Sequence, residues 1–158
     1  MRKAARAIVI QDGKLLVMNR NKFGHQYYAL VGGGVELNET PEQTVIREVQ
    51  EETGLRITKA RLVFIEEAGD PFGTQYIFLC EHVPGEPKLA EDSEEMAIHR
   101  LGKNLYEPGW LPIDQLPKAP FLSETLQVAL VYALHHGFPK EPIVLDPGTY
   151  HKSVIQRS

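Results

Sequence analysis

Apolar residues along this chain fall into short strand-like runs, broken by two stretches with helical spacing. Ala5 to Ile10 and Lys14 to Met18 are two such runs, and the Asp12-Gly13 pair between them predicts a tight hairpin turn. Gln26 to Val31 predicts a third strand, ending at Gly32-Gly33-Gly34. A helix is predicted from Pro41 to Thr53: Thr40 is its cap, Pro41 suits the first helical position, Gln43 completes a capping box and Gly54 ends it. Arg56 to Glu66 and Gln75 to His82 predict two more strands, joined by the turn-rich Gly69-Asp70-Pro71-Phe72-Gly73. Pro84 to about Glu95 is polar and acidic, as a surface loop would be, and Trp110 to Ile113 predicts a short strand. Leu122, Leu126, Leu130 and Leu134 recur every four residues, which predicts a second helix over Leu122 to His135 with a stripe facing a core. Strands, helix, strands and helix in this order describe an α+β or mixed α/β domain without the regular alternation of a doubly wound sheet.

Composition narrows the picture. The 158 residues suffice for one domain with a proper core, and 42% hydrophobic with 24% charged content excludes global disorder. The formal net charge of −4, with dispersed Lys and Arg, provides no electrostatic footprint for duplex nucleic acid or an anionic membrane. The basic start, Met1 to Arg6, precedes an apolar run too short for a signal-peptide core, and no run is long enough to span a bilayer. Cys80 is the single cysteine, so no internal disulfide forms and a reducing cytoplasm is the expected compartment. Its apolar surroundings suit packing better than nucleophilic chemistry. The six histidines have no metal-ligand spacing.

The chemistry concentrates on the first helix. Glu48, Glu51 and Glu52 stand three and four residues apart, so they project from one face on successive turns, while Val45, Ile46 and Val49 form a face that can pack on a sheet. Like charges this close repel, and glutamates near a helix C-terminus oppose the macrodipole at about 0.3–1 kcal/mol each. Arg47 relieves part of this by reaching Glu51 at i+4. Hard divalent cations give the cluster a reason, since Mg²⁺ is held by carboxylate oxygens together with substrate phosphates. An acidic helix alone is an ordinary solvated face. Here a glycine run, whose backbone can approach a ligand closely, comes just before it, followed by Glu39.

In this order and spacing the segment resembles the signature of the Nudix hydrolases: Gly, five residues, Glu, seven residues, Arg-Glu, an aliphatic residue, one residue, Glu-Glu, one residue, Gly, an aliphatic residue. Gly33, Glu39, Arg47, Glu48, Val49, Glu51, Glu52, Gly54 and Leu55 occupy every defined position of that pattern, over 23 residues. Beside it, Val31 stands where proline is common and Asn38 where glycine is common; Asn tolerates a left-handed backbone. The resemblance implies a Nudix-type α/β/α sandwich around a mixed β-sheet over residues 1–136, with residues 137–158 as a C-terminal extension of unread role. It implies hydrolysis of a phosphoanhydride in a nucleoside diphosphate linked to another group, such as a (d)NTP or nucleotide sugar, with Mg²⁺ or Mn²⁺ as cofactor. Glu48 and Glu52 resemble the principal metal ligands, Glu51 a further ligand or water-orienting group, and the Gly33 carbonyl completes the shell. Arg47 resembles the arginine that orients the glutamates, and Glu39 the one that braces loop and helix. The general base is either Glu48 or Glu51, or comes from the acidic loop of Glu91, Asp92, Glu94 and Glu95, where Glu94 and Glu95 are the candidates.

Outside the signature, Arg20 is a candidate phosphate contact and Tyr27 or Tyr28 a candidate base-stacking residue. The partner is a small-molecule nucleotide derivative, and the tail from Gly137 is a candidate contact with a second copy in a homodimer. Two other readings stand beside the hydrolase. A Nudix-fold isoprenoid diphosphate isomerase would need Cys80 as its catalytic cysteine. A non-catalytic nucleotide sensor would have no need of every signature glutamate.

Overall fold

The computed structural model describes residues 2–88 and 104–146. Two sheets form the frame. Strands β1 (Lys3–Ile8), β5 (Val31–Gly34), β6 (Ile57–Glu67), β7 (Thr74–His82) and β9 (Ile143–Leu145) make a five-stranded sheet in the order β5-β1-β7-β6-β9. It is mixed: β1–β7 and β6–β9 are parallel pairs, while β1–β5 and β6–β7 are antiparallel. Strands β2 (Ile10–Gln11), β3 (Lys14–Lys22), β4 (His25–Ala29) and β8 (Asn104–Pro112) form the second sheet, built on β3. Helix α1 (Pro41–Thr53) and helix α2 (Glu124–His136) complete the domain, with a short 3₁₀ turn at Ile113–Lys118.

The expected helix limits hold at α1. The Thr40 hydroxyl accepts from the Gln43 N–H, the Gln43 side chain accepts from the Thr40 N–H, and Gly54 closes the helix in the left-handed region at φ 76°. Val45 and Val49 pack with Ala5, Ala7, Val9, Phe78 and Cys80 on one side of the five-stranded sheet. Ile46, expected on that packing face, is exposed instead. On the other side Leu126, Leu130 and Ala133 of α2 meet Ile8, Phe64 and Ile77. One sheet between two helices is the expected α/β/α sandwich, and each helix hides its apolar face on a different side of the sheet. Among the described residues no helix is long and apolar enough to cross a membrane.

Further expectations change. The single strand expected over Gln26 to Val31 is two strands in different sheets, because the chain passes from β4 to β5 at Leu30. The glycines are themselves part of β5: Gly32, Gly33 and Gly34 pair with Arg6, Ala5 and Ala4. A Cβ on Gly32 would lie 2.0 Å from the Ala5 carbonyl oxygen, so strand contact by itself requires glycine here. Strand β8 is nine residues long where a short strand was expected from Trp110; Pro108 and Gly109 obscure it in the sequence, and an edge position tolerates both. Finally, a described part of the stretch after Gly137, Ile143–Leu145, contributes to the domain. It extends the sheet beside β6, and Leu145 is buried in the core against α2's side.

Candidate active site

Three pieces of chain meet at one end of the five-stranded sheet: the glycine edge of β5, the C-terminal turns of α1, and the loop between them. In that loop Asn38 adopts φ 67°, the left-handed conformation that glycine takes most easily and Asn tolerates. The turn brings Glu39 under α1, where the Glu36 N–H and the Thr44 hydroxyl both donate to its Oε1. Arg47 grips the same carboxylate with two hydrogen bonds, Nε to Oε2 at 2.7 Å and Nη2 to Oε1 at 3.0 Å. Its remaining nitrogen, Nη1, donates to Glu48 at 2.9 Å and to Glu51 at 3.2 Å. The bidentate bond from Arg47, then the Thr44 hydroxyl, hold the Glu39 carboxyl at about 2, well below its ordinary range. Arg47 is correspondingly pushed up, first by its bond to Glu39.

The three signature glutamates lie in different surroundings. Glu52 is 5% exposed, and its Oε2 accepts from the Gly32 N–H at 3.2 Å. Glu48 lies against Gly33 so closely that a Cβ there would be 2.6 Å from its carboxylate. Both side chains line a cleft of about 1250 Å³ that runs across the sheet toward α2. The Glu51 side chain is 57% exposed and is not part of the cleft wall, although the sequence groups it with Glu48 and Glu52. Spacing of three and four residues sets a common helix face, but β5 covers only one flank of that face.

Cations share the cleft with these carboxylates. Arg2, Arg6, Arg20 and Lys22 all line it. Arg6 projects from β1, its Nε bonded to the Gln75 side chain at 3.1 Å, and burial weakens its hold on its proton while Glu52 partly restores it. Arg20 lies over the Tyr106 ring at 4.2 Å and near the Tyr27 ring at 5.6 Å, a row set by the register of β4, β3 and β8. Tyr27 is therefore on the cleft. Tyr28, the other candidate, packs against the core on α2's side, since neighbours on a strand point to opposite faces. Glu94 and Glu95, with Glu91 and Asp92, lie outside the described residues.

Sequence reasoning missed several cleft residues: Arg2, Arg6, Lys22, Tyr106 and Glu66. Arg6 carried a readable signal, a charged side chain in the middle of the run Ala4-Ala5-Arg6-Ala7-Ile8. Glu66 gave a fainter one, as the acidic end of an apolar strand. Cys80 is buried, and burial pushes its thiol up to about 12, so no thiolate is at hand for nucleophilic chemistry.

Among the described residues no three His, Cys, Asp or Glu side chains converge into a cage of protein ligands alone. Two carboxylates on a cleft wall still fit Mg²⁺, which commonly uses one or two carboxylates, several waters and substrate phosphates.

A family model described as a NUDIX domain matches residues 1–129. The chain belongs to the Nudix family. The NAD-capped RNA hydrolase NudC of Pectobacterium carotovorum subsp. carotovorum (strain PC1) is 33% identical over 114 residues, which is 72% of this chain and 40% of the relative. The ADP-ribose pyrophosphatase of Methanocaldococcus jannaschii is 35% identical over 103 residues, 62% of this chain and 61% of that protein. The chain thus spans less than two thirds of the length of these relatives. The crystal structure of an ADP-ribose pyrophosphatase from Streptococcus suis 89-1591 superposes with a TM-score of 0.62 at 22% identity, covering 90% of this chain and 96% of that one. At that identity the likeness speaks for the fold.

Within the Nudix signature, Gly33 and Gly34 differ in a way that can be measured. Gly33→Ala would push its methyl into the Glu48 carboxylate, the flexible end of a side chain, whereas a Cβ on Gly34 meets nothing within 4 Å. Gly33→Ala is therefore expected to lower kcat roughly 10- to 100-fold with little change in melting temperature, and Gly34→Ala to leave kcat near wild type. Equal kinetics for the two variants would show that the position of Glu48 does not matter.

Proposed function

We propose that this chain is a metal-dependent hydrolase that cleaves the diphosphate linkage of a nucleoside diphosphate derivative. The observation that carries the reading is the pairing of Glu48 and Glu52, from successive turns of α1, with Arg2, Arg6, Arg20 and Lys22 on the walls of one cleft. Carboxylates alone would repel a diphosphate, and cations alone would hold it without chemistry. Together they suit a substrate that arrives with divalent cations.

In this reading Glu48 and Glu52 hold Mg²⁺ or Mn²⁺, which when bound would screen the diphosphate and activate water. The Gly33 carbonyl, expected to complete the shell, faces β1, because the Gly32 N–H and the Gly34 carbonyl on either side of it face α1. Arg47 fixes Glu48 from behind, and the Gly32 N–H fixes Glu52. Arg6 and Arg20 take phosphate oxygens, with Arg20 kept in place by the Tyr27 and Tyr106 rings. Glu48, on the cleft wall, and Glu51, held by Arg47 beside it but largely in solvent, are the two described carboxylates we propose as proton acceptor. The names of the relatives support a dinucleotide-like substrate, either a nucleoside diphosphate sugar or a cap of the NAD type. The buried free thiol of Cys80 suits the reducing cytoplasm as its compartment. It also leaves the isomerase reading without its nucleophile.

The test is a substrate panel: ADP-ribose, NADH, a UDP-sugar, dNTPs, a dinucleoside polyphosphate and NAD-capped RNA, each with Mg²⁺ or Mn²⁺ and with EDTA. Release of a nucleoside monophosphate or another phosphorylated product from at least one compound, abolished by EDTA, is expected. No turnover across the panel with either cation would overturn the proposal.

A further inference from the structure

The far half of the cleft holds a carboxyl group that the reading above does not use. Glu66 is on β6, directly opposite Gln75 of β7, and it is 6% exposed. In sheet register it stands in the row Gly34–Ala4–Gln75–Glu66, three strand spacings, or roughly 14 Å, from the glycine edge. The Ser123 hydroxyl donates its one proton to Glu66 Oε2 and accepts from the Leu126 N–H, so the cap of α2 pins the carboxyl group in one orientation. Among the described residues Ser123 is its only hydrogen-bond partner, and no cation pairs with it: the Arg6 Nε is turned to Gln75. Around it Ile77, Phe121, Leu126 and Leu145 supply apolar surface, while Glu67, Thr125 and Asp146 line the same cleft. Burial raises its pKa. A carboxylate has lone pairs for about four donors, and one buried with a single donor is costly until something else supplies more.

We propose that Glu66 is the specificity-determining residue of this cleft, accepting two neighbouring hydrogen-bond donors from the part of the substrate beyond the diphosphate. This rests on the cleft being the diphosphate site. Two groups carry such a donor pair: the N–H edge of a guanine-type base, and the cis hydroxyls of a ribose. The apolar surface suits either ring, and a site built around a buried acceptor rejects analogues that lack the donors.

Glu66→Gln preserves the side-chain shape and an acceptor for Ser123 but replaces acceptor capacity with an amide donor. Binding to the wild type and the variant is measured by calorimetry with Ca²⁺ for GDP against ADP, and for ADP-ribose against an analogue lacking one cis hydroxyl of the terminal ribose. Turnover is followed in parallel with Mg²⁺. If the base edge is read, the wild type prefers GDP to ADP; if the diol is read, it prefers ADP-ribose to its deoxy analogue. In either case Glu66→Gln is expected to erase the preference by weakening the better ligand roughly 10- to 100-fold. Glu66→Asp, which keeps the charge, is expected to retain part of it. Thermal melts of both variants show whether the fold is kept. A wild type with neither preference, or a folded Glu66→Gln with unchanged preferences, would overturn the inference. Absence of turnover bears instead on the hydrolase reading, because the binding preferences are measured without it.

Discussion

Glu52→Gln is expected to lower kcat by more than about 100-fold, because it removes a charged donor from the candidate metal site, and loss of mere supporting groups already costs about 10- to 100-fold. The fold should survive. Glu52 is nearly fully buried, with the Gly32 N–H donating to its Oε2, and an amide oxygen in the same place still accepts that bond, more weakly than the carboxylate. Replacing the buried negative charge by a neutral isostere relieves repulsion from Glu48 one turn away, and it also removes the charge that supports buried Arg6. Glu48→Gln is expected to behave similarly, although it also weakens the bond from Arg47. The measurement is steady-state kinetics over a range of Mg²⁺ concentrations, with thermal melts as control. Wild-type kcat at saturating Mg²⁺ in a folded Glu52→Gln variant would show that this carboxylate is not a ligand.

Arg47→Ala has the second largest expected effect, and it acts on activity and stability together. One guanidinium satisfies Glu39 bidentately, Glu48, Glu51 and the Gly34 carbonyl, so its loss frees Glu48 from its fixed position and leaves Glu39 with the Thr44 hydroxyl and the Glu36 N–H. Turnover is expected to fall roughly 10- to 100-fold, as for loss of other groups that orient ligands. The stability effect carries a pH signature. The Glu39 carboxyl is held at about 2 in the folded protein against an ordinary 4.5, so its stabilisation is complete above pH 4.5 and is lost as pH falls toward 2. Urea unfolding of wild type and Arg47→Ala should therefore differ most near neutral pH, and the gap should narrow between pH 4.5 and 2. A gap independent of pH over that window would mean that the Glu39–Arg47 pair does not stabilise the fold.

The parts of this protein legible in its sequence are those decided by neighbours along the chain. The limits of α1 depend on Thr40, Pro41, Gln43 and Gly54, all within a turn of the helix ends, and the hairpin at Asp12-Gly13 depends on two residues, both with positive φ. The match from Gly33 to Leu55 is of the same kind, since its loop and helix are contiguous. Strand β8 was mostly hidden, because its pairing with β3 joins residues from 82 (Lys22 and Asn104) to 98 (Lys14 and Pro112) positions apart and overrides the Pro and Gly within it.

By itself, then, the sequence determined that a capped helix would carry Glu48, Glu51 and Glu52 shortly after a glycine run. Helical periodicity and capping are local rules, and local rules suffice for that. Only the tertiary structure decided which carboxylates face the cleft. β5 encloses Glu48 and Glu52 and leaves Glu51 to solvent, while sheet register and the cap of α2 bring Glu66 and Ser123 together across 57 positions. No periodicity encodes such a meeting, because it is set by which strands pair and in what register.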